Sequence, residues 1–204
     1  MEKNLTALKQ EAPTDARQVR SRKALNAALL DLLAQRTFDE LTIREITARA
    51  GTGYATFFRH FSTKEALLAD LVVDPIDELL TRTLALLDSP RPREAPSVRE
   101  LCAWVAGDRA FWAPLLTGGA AGLVRSEFLR QARERAAAGH GLHREDTWLP
   151  ADLALIHGVS SVIGVLTWWL RQGEDGSLEQ VAMILERMVI APITQDAAVE
   201  AALS

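Results

Sequence analysis

FDELTIREITARAGTGYATFFRHFSTKEALLADLV, residues 38–72, is the stretch on which the reading of this 204-residue chain turns. It contains two S/T-x-x-E boxes, Thr42-Ile43-Arg44-Glu45 and Ser62-Thr63-Lys64-Glu65. In such a box the hydroxyl accepts from a backbone N–H three residues on, while the glutamate reaches back to the capping residue. Each box therefore predicts a helix start. After the first, Ile43, Ile46 and Ala50 form the buried face of a short helix, and Gly51 ends it where a left-handed turn is needed. A second short helix is expected from Gly53 to His60, with Phe57 and Phe61 one turn apart on its core side. Two short helices about a glycine turn, the second rich in aromatic and polar residues, make the helix-turn-helix pattern. In that unit the first helix crosses a duplex backbone and braces the second, whose N-terminal residues enter the major groove.

Outward from this stretch almost everything reads as helix, and no segment alternates apolar and polar residues for long enough to argue a strand. Before it, Arg17 to Gln35 carries the stripe Leu25, Ala28, Leu29, Leu32 and Leu33. Residues 1–16 are polar and mixed in charge, and are expected to be a disordered extension. After it, a fourth helix continues through Ala66, Leu67, Leu68 and Leu71 to Asp74-Pro75, where proline either kinks it or starts a new helix. A proline-rich loop, residues 88–97, leads to a fifth helix opened by Ser97-Val98-Arg99-Glu100. Asp108 is expected to cap the sixth, Gly118-Gly119 to precede a seventh ending near Ala138, and 139–148 to be a polar loop. Pro150 to Arg171 reads as a long apolar eighth helix, and Ser177 as the cap of a ninth that stops before Pro192. The expected fold is all-α with about nine helices. Residues 17–64 form a three-helix helix-turn-helix domain, and 65–204 a helical effector-binding and dimerisation domain.

The order of residues in 38–72 resembles the DNA-binding domain of the TetR family, over about residues 17–72. The resemblance rests on Thr42 opening the second helix, Ala50-Gly51 at the turn, Phe58-Arg59-His60-Phe61, and Thr63-Lys64-Glu65. It implies a transcriptional regulator, most simply a repressor, that binds a palindromic operator in double-stranded DNA as a homodimer and is released by a small effector. It implies backbone or base-edge contacts from Thr42 and Arg44, and base reading from Thr52, Gly53 and Tyr54, with Tyr54 against a thymine methyl or a phosphate. Thr56, His60 and Lys64 would meet phosphates. Three positions depart from the family's usual residues. Gly53 replaces a capping serine, Ala55 a glycine, and Phe58 a tyrosine whose hydroxyl commonly meets phosphate.

Composition agrees without deciding the matter. Residues 1–64 carry a net charge of +4 and the remainder −8, for −4 in all, a basic front on an acidic body that suits an anionic polymer at one end only. Cys102, the one cysteine, excludes an internal disulfide and reads as a small buried hydrophobe. The uncharged run Leu153–Leu170 approaches membrane-span length but contains His157, Ser160, Ser161 and Thr167, so a helix buried in protein is the better reading. The N-terminus has no secretory h-region, and a cytoplasmic, membrane-free protein is expected. No Ser/His/Asp set, phosphate-binding glycine loop or HExxH motif argues for an enzyme, a metal or a cofactor.

Toward the C-terminus, Trp104, Phe111, Trp112 and Phe128 supply aromatic lining for an effector pocket, with His157 and Ser161 as polar anchors. Trp148 belongs to the same aromatic-rich middle. Leu166, Trp169, Leu170, Val181, Ile184, Leu185 and Met188 are expected to form the dimer interface. Core packing is the alternative for both sets. A different class of function also fits: a helical lipophile-binding or scaffold protein whose helix-turn-helix has lost DNA.

Overall fold

The computed structural model describes residues 4–88, 97–138 and 151–192. Among them are nine α-helices and no strand: α1 (Asn4–Leu33), α2 (Ile43–Arg49), α3 (Tyr54–His60), α4 (Lys64–Asp88), α5 (Val98–Gly107), α6 (Arg109–Thr117), α7 (Ala121–Ala137), α8 (Ala151–Arg171) and α9 (Leu178–Leu185). A π-helical turn, Glu186–Ile190, prolongs α9. The proline-rich loop (89–96), the polar loop with Trp148 (139–150) and residues 1–3 lie outside the described residues. α1 starts at Asn4, inside the segment read as a disordered extension. Leu, Ala, Lys, Gln and Glu, all good helix formers, dominate that segment, and charge composition alone hides their preference.

The chain divides into two compact units, residues 1–71 and 72–204. The division falls inside α4, later than the boundary at 64/65 expected from sequence. α4 runs unbroken through Pro75, so the proline neither ends it nor starts another helix. Lacking an N–H, Pro75 withdraws the bond that the Leu71 carbonyl would otherwise receive.

In the first unit Leu25, Leu29 and Leu33 of α1 pack with Phe38, Leu41, Ile46, Phe57, Phe61, Leu67 and Leu68, all buried. Polar ties lie around this core. Asp70 of α4 accepts from Arg22 Nε at 2.9 Å and Asn26 Nδ2 at 3.0 Å, both on α1. Arg49 of α2 pairs with Asp31 of α1 at 2.9 Å.

In the second unit the core comprises Val105 of α5, Trp112 and Leu115 of α6, Val124 and Phe128 of α7, Leu166 and Trp169 of α8, and Val181 and Leu185 of α9. Val72, Ile76, Leu79 and Leu80 of α4 are buried in this unit too. Ser97 and Glu100 complete the expected capping box of α5. Asp108 instead joins α5 to α6 with no side-chain cap bond. Trp169 organises the α8–α9 turn. Its indole Nε1 donates to the Gly176 carbonyl at 3.1 Å, and Arg109 lies over its ring at 5.1 Å while donating to the Trp169 and Leu170 carbonyls. A Cβ at Gly176 would come within 2.8 Å of that ring, so only glycine fits there. No helix among the described residues is long and apolar enough to cross a membrane.

Candidate nucleic-acid interface

The capping box expected at Thr42 is complete. Glu45 N donates to Thr42 Oγ1 at 3.3 Å, and Thr42 N and Oγ1 donate to Glu45 Oε2 at 2.8 and 2.7 Å. Arg36 adds an ion pair to the same carboxylate. The Thr42 hydroxyl first, then Arg36 and the Thr42 amide, hold Glu45 down to about 2, far below an ordinary glutamate. α2 ends in a full glycine-terminated motif. Gly51, at φ +61°, donates to the Ala48 carbonyl at 3.2 Å, and Thr52 N donates to the Thr47 carbonyl at 3.0 Å. Those two bonds are the Schellman pattern, which needs a left-handed residue between helix and turn.

That turn aims α3. With Phe57 buried as its anchor, α3 presents the opposite side to solvent: Tyr54 is 52% and Phe58 48% exposed. Their rings meet edge-on with centroids 5.0 Å apart, and Phe58 also contacts Phe57 at 5.4 Å. Two adjacent exposed aromatic rings on a short helix are costly to leave in water, and such a face marks a binding surface. Gly53 precedes α3 with no side-chain cap, as its departure from serine predicts. Arg44 is exposed on α2 and Arg59 on α3, neither with an ion-pair partner among the described residues. Arg59 was not among the expected contacts. It is a free cation on the last turn of α3, and its only sequence signal is its place beside Phe58.

Four expected contacts are buried or committed elsewhere. The Lys64 ammonium donates to three backbone carbonyls, Phe38 at 2.9 Å, Leu41 at 3.0 Å and Asp39 at 3.2 Å, and sits 4.7 Å over the Phe38 ring. An ammonium has three donors, so none remains for a phosphate. Lys64 is a staple between the start of α4 and the segment before α2. His60 Nε2 lies 2.7 Å from Ser21 Oγ, whose own proton goes to the Gln18 carbonyl at 2.9 Å. Ser21 must then accept, so His60 donates through Nε2 and ties α3 to α1. Thr52 Oγ1 is buried without a hydrogen-bond partner in the protein, so it does not face a duplex. Thr42 is exposed, but its hydroxyl is committed to Glu45; Thr56 is half-buried. The residues left on the open face are Arg44, Gly53, Tyr54, Thr56 and Phe58.

The expected effector pocket is a packed cluster. Trp104 contacts Trp112 at 5.6 Å, Phe111 meets Trp112 edge-on at 5.0 Å, and Trp112 reaches Phe128 at 6.4 Å. Trp112 and Phe128 are fully buried, whereas His157 is exposed and Ser161 half-buried on α8. An exposed histidine and fully enclosed rings do not line one space. The dimer expectation needs a similar correction. Leu166, Trp169, Leu170, Val181 and Leu185 are buried within the chain's own core, which leaves Met188, at 66% exposed, and half-buried Ile184 to face outward. Both helices are apolar on more than one side, so periodicity alone could not say which face turns in. Cys102 is buried as expected, and burial pushes its thiol up to about 11.

A buried brace, a glycine turn and a short helix with an exposed aromatic face define a helix-turn-helix module, the unit whose second helix enters the major groove in proteins that bind DNA with it. The model of the tetR family of bacterial regulatory proteins matches residues 25–71, the stretch that carries the helix-turn-helix. Over 81 residues it is 36% identical to YxbF of Bacillus subtilis, an HTH-type transcriptional regulator, covering 39% of this chain and 21% of that protein. Over 130 residues it is 33% identical to the HTH-type transcriptional regulator Mb0790c of Mycobacterium bovis, covering 62% of this chain and 57% of the relative. The chain thus spans between a fifth and three fifths of the curated relatives it matches. A TetR transcriptional regulator of Streptococcus agalactiae has a similar fold, with a TM-score of 0.56 at 22% identity over 87% of this chain and 97% of that one.

Proposed function

We propose that the chain is a cytoplasmic transcriptional repressor that binds a palindromic operator as a homodimer and is released by a small, apolar or aromatic effector. The observation that carries the reading is the outward face of α3, where Tyr54 and Phe58 stand exposed on a helix anchored by buried Phe57. Tyr54 and Phe58 can meet thymine methyls, and Arg44 and Arg59 can meet phosphates or guanine edges. One helix of seven residues reads too few base pairs for a specific site, so two copies are needed, about one turn of DNA apart.

A second copy would pair through the outer faces of α8 and α9. Leu153, Trp168, Met183 and Met188 are large apolar side chains exposed there, and such side chains are better covered than left in water. Effector binding would favour a state in which the two recognition helices no longer match successive major grooves. The test is fluorescence anisotropy with duplex DNA flanking the chain's own gene. Expected are saturable binding that weakens steeply with salt and at least a tenfold loss in Tyr54→Ala. Binding that is absent at low salt, or unchanged in Tyr54→Ala, would sink the proposal.

A further inference from the structure

The second unit carries a cavity of about 390 Å³ lined by residues of α6, α7 and α8 and the start of the turn that follows α8. Leu116 and Ile163, both buried, give it an apolar floor, and the indole of Trp168 stands at its side. Arg125 of α7 and Arg171 of α8 are its charged lining residues, and no carboxylate lines it. Neither arginine has a hydrogen-bond or ion-pair partner among the described residues. They share the lack of an ion-pair partner with Arg44 and Arg59, whereas Arg22, Arg36, Arg49, Arg82, Arg99, Arg130 and Arg135 are paired. Both guanidiniums are exposed to solvent beside that apolar floor. A group that uses both features carries negative charge at one end and an apolar body at the other.

We propose that this cavity binds a small organic monocarboxylate with an apolar chain or ring. The carboxylate would take the planar fork of Arg125 or Arg171, which matches its two oxygens. The body would lie on Leu116, Ile163 and the Trp168 ring. The volume lies within the range of ordinary ligand sites. Two glycines show that the space is open: a Cβ built at Gly122 or at Gly164 meets nothing within 4 Å. The first turn of α7, which includes Gly122, holds no acidic residue, and α7 has no side-chain cap, so nothing there competes with an anion. Gly164 and Trp168 also lie on the outer side of α8, so the paired face proposed above would run along one rim of the cavity.

The site stands whether or not residues 25–71 bind DNA, so its failure and the failure of the repressor reading are separate results. The test is isothermal titration calorimetry of the full chain with sodium decanoate, 2-naphthoate, decanol and inorganic phosphate. Expected is saturable binding of at least one carboxylate, with decanol and phosphate at least tenfold weaker. The double variant Arg125→Gln/Arg171→Gln should lose at least tenfold in affinity, and Gly122→Leu, which fills the open space, should lose as much. If neither carboxylate binds, if decanol or phosphate binds as well, or if both variants bind like the parent, the proposal is wrong.

Discussion

Two sets of aromatic rings invite comparison: Tyr54 and Phe58 on α3, and Trp112 and Phe128 in the second unit. Both are linked series of rings within about 6.5 Å of one another, and sequence alone marked both as contact surfaces. The first pair is about half exposed; the second is fully buried. Ring clusters gain stability by leaving water, so an enclosed cluster explains itself. An exposed one asks for a partner. The difference teaches that aromatic density by itself does not mark a site, and that exposure against a buried anchor does.

The comparison breaks most easily at Trp112. Trp112→Ala should cost about 3–5 kcal/mol of stability by opening a cavity, read from denaturant melts. Tyr54→Ala should stay within about 0.5 kcal/mol while abolishing specific DNA binding; equal destabilisation by the two would erase the distinction. Lys64 sharpens the same line between bracing and contact. Lys64→Met should lose about 1–3 kcal/mol, since carbonyls of Phe38, Asp39 and Leu41 lose a charged donor. It should leave the salt slope of DNA binding unchanged. A slope smaller by about one would mean that a phosphate had been released instead.

Glu45 offers an acid probe of the brace. Its folded value, about 2, lies below the 4.5 of an unconstrained glutamate. Ionised Glu45 therefore contributes stability that is fully present above pH 4.5 and is lost as pH falls toward 2. Carboxyl-detected NMR should show that midpoint, and Arg36→Met should raise it; a midpoint near 4.5 in the parent would contradict the geometry. The smallest effect is expected at Gly53. A Cβ there lies 3.7 Å from Thr56 Oγ1 without a clash. Gly53→Ser should add a few tenths of a kcal/mol by capping α3, seen as a slightly higher melting midpoint with Tyr54 still exposed.

What could be read beforehand was what is local. The caps at Thr42 and Ser97 and the glycine at 51 depend on neighbours three to five residues away, and formed as expected. The second box slipped by one residue, with Thr63 rather than Ser62 accepting from Ala66 N at 3.1 Å to cap α4, and Asp108 makes no cap bond. Contacts that span the chain were hidden. Lys64 looks like a surface cation because its three carbonyls lie 23–26 residues earlier, and His60 finds Ser21 across 39 residues. The inward face of α8 was hidden for another reason. Leu166, Trp169 and Leu170 turn in while Trp168 turns out, and an almost wholly apolar helix gives no polar side from which to read the difference.

The turn after α8 has a consequence for how this sequence can drift. Trp169 occupies the space that any side chain at position 176 would need, while its indole proton holds the carbonyl of that same residue. The two positions are a matched lock: a larger residue at 176 becomes tolerable only after the indole has been exchanged for something smaller. Descendants of this chain should therefore change the two together, the tryptophan first.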